Sequence, residues 1–136
     1  RVVSAHHHVA SAAGMCMFSW CNLKPEALTD SLKHTTGKDY TLDDVQNIGD
    51  RIAALRTAFN LREGIRNIDF QVPQRMIGQP PLEAGPLKGV TVDIDAQICD
   101  YLQEMGWDTQ TGVPTKETLH KLGLDFVAAD LHGSSA

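Results

Sequence analysis

The chain has 136 residues, 42% of them hydrophobic and 21% charged, and a formal net charge of −5. A mass of 14.9 kDa suits one domain with a real core, and this composition argues against both a disordered chain and a membrane protein. The acidic balance excludes a nucleic-acid binder held by a basic face, and no apolar run is long enough for a membrane span. There is no signal-peptide pattern, and three cysteines are an odd number for a disulfide framework, so a cytoplasmic protein is expected. The chain opens on Arg1 and not methionine, as a processed product or a piece of a longer protein would.

The first predicted element covers Val2 to Ala13, rich in alanine and valine and nearly uncharged after Arg1. It reads as a mostly buried helix ended by Gly14, which places Cys16 on or just after the turn. A short helix starts at Pro25, tolerated in a first turn, and fades by Thr36-Gly37. The clearest helix begins at Thr41, a good N-cap, with Asp43 and Asp44 in the first turn where the helix dipole favours negative charge. Val45, Ile48, Ile52, Leu55 and Phe59 then alternate spacings of three and four, a single apolar stripe, and Gly64 stops the helix.

From Ile65 to Asp93 the periodicity disappears among Pro73, Pro80, Pro81, Pro86, Gly78, Gly85 and Gly89. A long ordered loop is predicted, with Val90-Thr91-Val92 as a short strand or extended arm. A further helix runs from about Asp95 to Met105, with Ile94, Ile98, Leu102 and Met105 on its inner stripe and Gly106 at its end. The last starts after Pro114, capped by Thr115 with Glu117 in the first turn. Gly123 ends it, and Leu124 is placed to touch Leu119 in a Schellman ending. About five helices and little sheet make the expected fold class all-α.

Few residues offer chemistry by themselves. His6, His7 and His8 are consecutive, and helix residues 100° apart cannot converge on one ion. Cys16 and Cys21 lack a common zinc or redox spacing, although a weaker reading joins His6, Cys16 and Cys21 in a zinc site. Cys99 sits beside its helix stripe as an inert core thiol, and Asp93, Asp95 and Asp100 read as caps and dipole partners.

The segment from Ile48 to Gly64 changes this picture. Gly49, Arg51, Leu55, Phe59, Asn60, Arg62, Glu63 and Gly64 fit a G-E-R-x-x-x-L-x-R-x-F-N-x-R-E-G pattern, with Asp50 in place of the glutamate and Arg56 one position ahead of the pattern's second arginine. That pattern resembles the C-terminal helical region of the tungsten-dependent aldehyde ferredoxin oxidoreductase family. Further agreement follows in order at Asp69, Pro73, Arg75, Gly85, Gly89, Gly106-Trp107-Asp108, Thr111-Gly112, Pro114-Thr115 and Leu122-Gly123-Leu124.

The resemblance implies that residues 1–136 form a single domain or fragment, the last of three domains. Its partners would be the N-terminal and middle domains of the same enzyme. The whole enzyme would carry a tungsten or molybdenum bis-pterin and a [4Fe–4S] cluster. It would oxidise aldehydes to carboxylic acids and pass electrons to ferredoxin or a similar acceptor. The family's D-x-x-G-x-C segment falls on Gly14 and Cys16, which makes Cys16 the fourth cluster ligand and brings Met17 close to the pterin. Ser11 stands where the family has a pterin-contacting aspartate, and Phe70 where it often has a second one. No catalytic side chain is expected here, and the isolated chain, with one ligand of four, is expected to be inactive and to hold no cofactor. Its exposed docking face would favour self-association into a homo-oligomer. The alternative is a non-catalytic helical assembly module that has lost the redox centre.

Overall fold

The computed structural model describes residues 1–20 and 23–133, with seven α-helices and no strand among them. They are α1 (Val2–Ala12), α2 (Met17–Trp20), α3 (Pro25–Thr36), α4 (Leu42–Arg62), α5 (Ile94–Glu104), α6 (Lys116–Lys121) and α7 (Asp125–His132). The all-α expectation holds, and two short helices, α2 and α7, add to those read from the sequence. The long loop carries two 3-10 turns, Asn67–Asp69 and Gln74–Ile77. Val90 to Val92 is not a strand but irregular chain, tied down where Val92 N–H donates to the Ile77 carbonyl at 2.9 Å. No helix among the described residues is long and apolar enough to cross a membrane.

Helix α4 is the spine, and α1, α3 and α7 all pack on it. Its start is a reciprocal cap: Asp44 N–H donates to Thr41 Oγ1 at 3.1 Å, while Thr41 N–H donates to Asp44 Oδ2 at 2.8 Å. Thr41 Oγ1–H also donates to Asp44 Oδ2, at 2.7 Å, and the two bonds that Thr41 donates to it, the backbone one first, hold the Asp44 carboxyl below its ordinary range.

The buried face of α4 differs from the predicted stripe. Val45, Gly49, Asp50, Ala53, Ala54, Thr57 and Ala58 are buried, whereas Ile48, Ile52 and Leu55 lie on the margin and Phe59 is exposed. The reason is close helix packing. A Cβ on Gly49 would sit 2.6 Å from the Ala5 carbonyl carbon and closer still to its Cα and oxygen. Small side chains therefore occupy the contact face, and the bulkier ones are displaced to its edges. One cluster gathers Val9, Ala10, Leu28 and Val45. The second joins Ala54 and Ala58 to Leu102, Met105, Trp107, Leu119, Leu124, Val127 and Ala128. Helix α5 also departs from expectation: Leu102 and Met105 are buried but Ile98 is 38% exposed, because only the C-terminal half of α5 reaches the core.

Several side chains of the family-like pattern have work inside this fold. Arg51 Nη1 donates to the carbonyls of Leu122 and of Gly123, the latter at 2.9 Å, and so places a cation at the C-terminal end of α6. Asp50 is buried and accepts from Arg1 Nη2 at 2.7 Å, Arg1 Nε at 2.9 Å and Gln46 Nε2 at 2.8 Å. The Gly106-Trp107-Asp108 and Thr111-to-Thr115 segments form one bent hairpin. Within it Asp108 Oδ1 accepts from Thr111 Oγ1 at 2.6 Å, Thr111 N–H at 2.7 Å and Gln110 N–H at 3.1 Å. The Gly106 carbonyl accepts from Thr118 Oγ1 at 2.8 Å and Thr115 Oγ1 at 2.9 Å, which seats α6 against the end of α5. Helix α6 ends in the predicted Schellman turn, with Leu124 N–H donating to the Leu119 carbonyl at 2.8 Å.

Candidate functional site

The site nominated by the sequence lies beyond the end of α1. There Gly14 adopts φ +74°, a left-handed conformation that suits glycine, and its N–H donates to the Ser11 carbonyl at 3.1 Å. Met15 N–H reaches back to the Ala10 carbonyl at 3.0 Å, which completes a Schellman ending. Met15 itself packs against the Val9, Ala10, Leu28 and Val45 cluster. Anchoring residue 15 in the core turns the next residue outward. Cys16 is exposed and carries a free thiol, and its carbonyl accepts from Ser19 N–H at 3.0 Å as the chain enters α2. Met17 and Phe18, the next two residues, are also exposed.

This support is rigid for identifiable reasons. Helix α1 is pinned to α4 at the Ala5–Gly49 crossing and again by the ion pair between Arg1 and buried Asp50. The hydrogen bonds it donates to Asp50 hold the Arg1 guanidinium pKa above its ordinary value. A side chain projected from such a base has little freedom to wander.

The other nominated residues scatter. Ser11 is exposed on α1, near the start of the turn. Phe70 is exposed just after the Asn67–Asp69 turn, beside the pair in which Arg66 Nη2 meets Asp69 Oδ1 at 2.6 Å. That bond from Arg66 draws the Asp69 carboxyl below its ordinary range. The three histidines diverge as helical geometry requires. His6 is buried with Nδ1–H donating to the Val2 carbonyl at 3.0 Å, and His7 is exposed. His8 accepts from Arg56 Nη1 at 3.4 Å, and burial followed by the Arg56 charge pushes its pKa down.

Asp93 is a cap, accepting from Ala96 N–H at 3.1 Å. Cys99 is half-buried, not fully in the core, with Gln103 Nε2 donating to its sulfur at 3.5 Å. The departure follows from α5, whose first half lies outside the core. Cys21 lies outside the described residues, so the zinc reading with His6 and Cys16 includes a member without a described position. Among the described residues no three His, Cys, Asp or Glu side chains gather as a metal site.

The chemistry available to Cys16 is that of one outward thiolate donor on a fixed turn. A four-iron cluster takes four such donors, so the residues present fit one corner of that group. Sequence reasoning placed Phe59 on the inward stripe, whereas it lies outward with Arg56, Arg62 and, just past the helix, Glu63. The signal was available: they recur at spacings of three and four opposite the small-residue face.

Comparison with known proteins gives a consistent answer. The sequence model described as "Aldehyde ferredoxin oxidoreductase, domains 2 & 3" matches residues 2–124. A tungsten-containing aldehyde ferredoxin oxidoreductase of Pyrococcus horikoshii is 34% identical over 118 residues, covering 86% of this chain and 19% of that protein. The corresponding protein of Pyrococcus furiosus is 34% identical over 114 residues, covering 83% of this chain and 18% of its own. The chain thus spans less than a fifth of the length of these curated relatives. Among solved structures, the active site complex BamBC of benzoyl coenzyme A reductase, in complex with 1,5 dienoyl-CoA, superposes with a TM-score of 0.60. At 24% identity over 84% of this chain and 16% of that one, the likeness shows a shared fold.

Proposed function

This chain belongs to the aldehyde ferredoxin oxidoreductase family, and on that premise we propose that residues 1–136 are the C-terminal domain of a tungsten–pterin, iron–sulfur oxidoreductase. In this reading the whole enzyme converts an aldehyde and water to a carboxylic acid, releasing two electrons and two protons. The electrons pass to ferredoxin or a similar acceptor. The metal-pterin supplies the two-electron chemistry when bound, and the protein binds, orients and tunes it.

Within that enzyme the domain closes the redox centre from one side. Cys16 provides one thiolate to the cluster, and the three others come from polypeptide outside this chain. Its exposure and its place between the Schellman turn and α2 are the observation that carries the assignment. A ligand on a pre-set turn needs little reorganisation on docking, and the potential of such a cluster depends on burial and on hydrogen bonds to its sulfurs. Met17 and Phe18, exposed directly after Cys16 in the chain, exclude water once the neighbouring domain covers them. Met17 would then be the residue of this chain close to the pterin. Ser11 offers a hydroxyl where the family pattern has a carboxylate, so this side of the pterin site loses one negative charge.

The test is anaerobic production of the complete enzyme with Cys16→Ala. The expected result is a loss of cluster iron and a changed cluster spectrum while the helical signal is kept. Full iron content, an unchanged spectrum and full activity would refute the ligand assignment.

A further inference from the structure

We infer that the outward face of the second half of α4 is a second seam against the remainder of the same enzyme, at the opposite end of the spine from Cys16. Phe59, Arg62 and Glu63 belong to the same sequence pattern as Gly49, Arg51 and Gly64, and Arg56 lies among them on the same outward face. The latter three have internal roles: Gly49 in the crossing with Ala5, Arg51 on the end of α6, and Gly64 in a turn at φ +78°. The former face outward. Phe59 is 57% exposed, with the Arg62 guanidinium 5.1 Å above its ring and Glu63 beside Arg62 at 3.2 Å. Arg56 meets the His8 ring at 3.4 Å on an exposed face.

An open groove of about 410 Å³ borders Phe59, walled by Leu55, Ala58, Leu131 and the 61% exposed Phe126 of α7. A phenylalanine exposed beside an apolar groove and stacked by an arginine is the composition of an interface core. The occupant follows from chain length. The curated relatives extend over roughly five times the matched region, and that missing polypeptide has to pack somewhere on this domain. From Val45, near the Met15 anchor, to Phe59 is roughly 20 Å along the helix axis. Contacts at both ends would fix the tilt of the domain and with it the position of Cys16.

This inference rests on the reading that the chain is one part of a larger enzyme, and hydroxyl-radical footprinting of the complete enzyme tests it. The expected result is Phe59 modified about tenfold more slowly than in the unfolded enzyme, as in an interface core. Modification at about half the unfolded rate, matching its exposure here, would overturn the seam. Protection that vanishes on dilution, with the mass halving, would assign the face to a second copy and equally overturn it. Met17 and Phe18 report on the Cys16 end in the same experiment. Protection of Phe59 with free labelling of those two keeps the seam and removes the cluster reading, and the reverse pattern does the opposite.

Discussion

Replacing Gly49 with alanine tests how α1 is held. In an ordinary helix interior the change would stabilise by about 1 kcal/mol, because glycine is a poor helix former. Here the new methyl would meet the Ala5 backbone, with the Ala5 carbonyl carbon at 2.6 Å. Carbon atoms pack best about 3.5–4.0 Å apart, so α1 must retreat by roughly 1 Å. Overpacking of this kind costs about 1–3 kcal/mol, and an obstacle made of main chain, which cannot rotate away, puts it at the upper end. Subtracting the propensity gain leaves a loss of about 2 kcal/mol. For a domain of this size that lowers Tm by about 6–10 °C. Thermal unfolding followed by circular dichroism measures it. A Tm equal to or above that of the parent would refute the crossing as described and would leave only the propensity effect.

Three further outcomes follow from the same contacts. Arg51→Ala removes the donor to the Leu122 and Gly123 carbonyls, and urea titration should show a loss of about 1.5–3 kcal/mol, the range for charge-assisted bonds. Asp50→Ala strips buried support from Arg1 and Gln46. Because the Arg1 side chain is 40% exposed, the fully buried figure is discounted to about 2 kcal/mol, read by the same titration. The Thr111 bonds, side chain before backbone, hold the Asp108 carboxyl below its ordinary range. A depressed folded-state pKa means its stabilisation is present above the unfolded value, about 3.9, and disappears as pH falls through the folded value. Asp108→Asn should therefore flatten the acid-side decline in stability below about pH 4, and an unchanged decline would contradict this.

Much of the architecture was legible because local chemistry and global packing agree. Thr41 with Asp44, Pro25, Gly37, Gly64, Thr115 and Gly123 mark helix ends through capping and turn geometry that depend on near neighbours only. The buried face of α4 was not legible. A stripe drawn through large apolar residues passes over Gly49, Ala53 and Ala54, whose burial depends on how closely α1 approaches, and that distance is tertiary information. Ile98 was misplaced for a related reason, since periodicity identifies a face but not how far along the helix the core extends. Helix α7 was readable in principle, from Leu124, Val127, Ala128 and Leu131 at spacings of three, one and three, but it is short and follows directly on a terminating glycine. The place of Cys16 on a turn was visible from Gly14. Its outward direction was not, because that depends on Met15 being held in the core.

The most direct test of the central claim is differential alkylation of Cys16 in the complete, anaerobically purified enzyme before and after iron is removed by chelation. A thiolate bound to iron resists alkylation until the metal leaves, so Cys16 should react only in the stripped enzyme. Ready alkylation of Cys16 in the iron-loaded enzyme, or resistance that persists after stripping, would contradict its role as a cluster ligand.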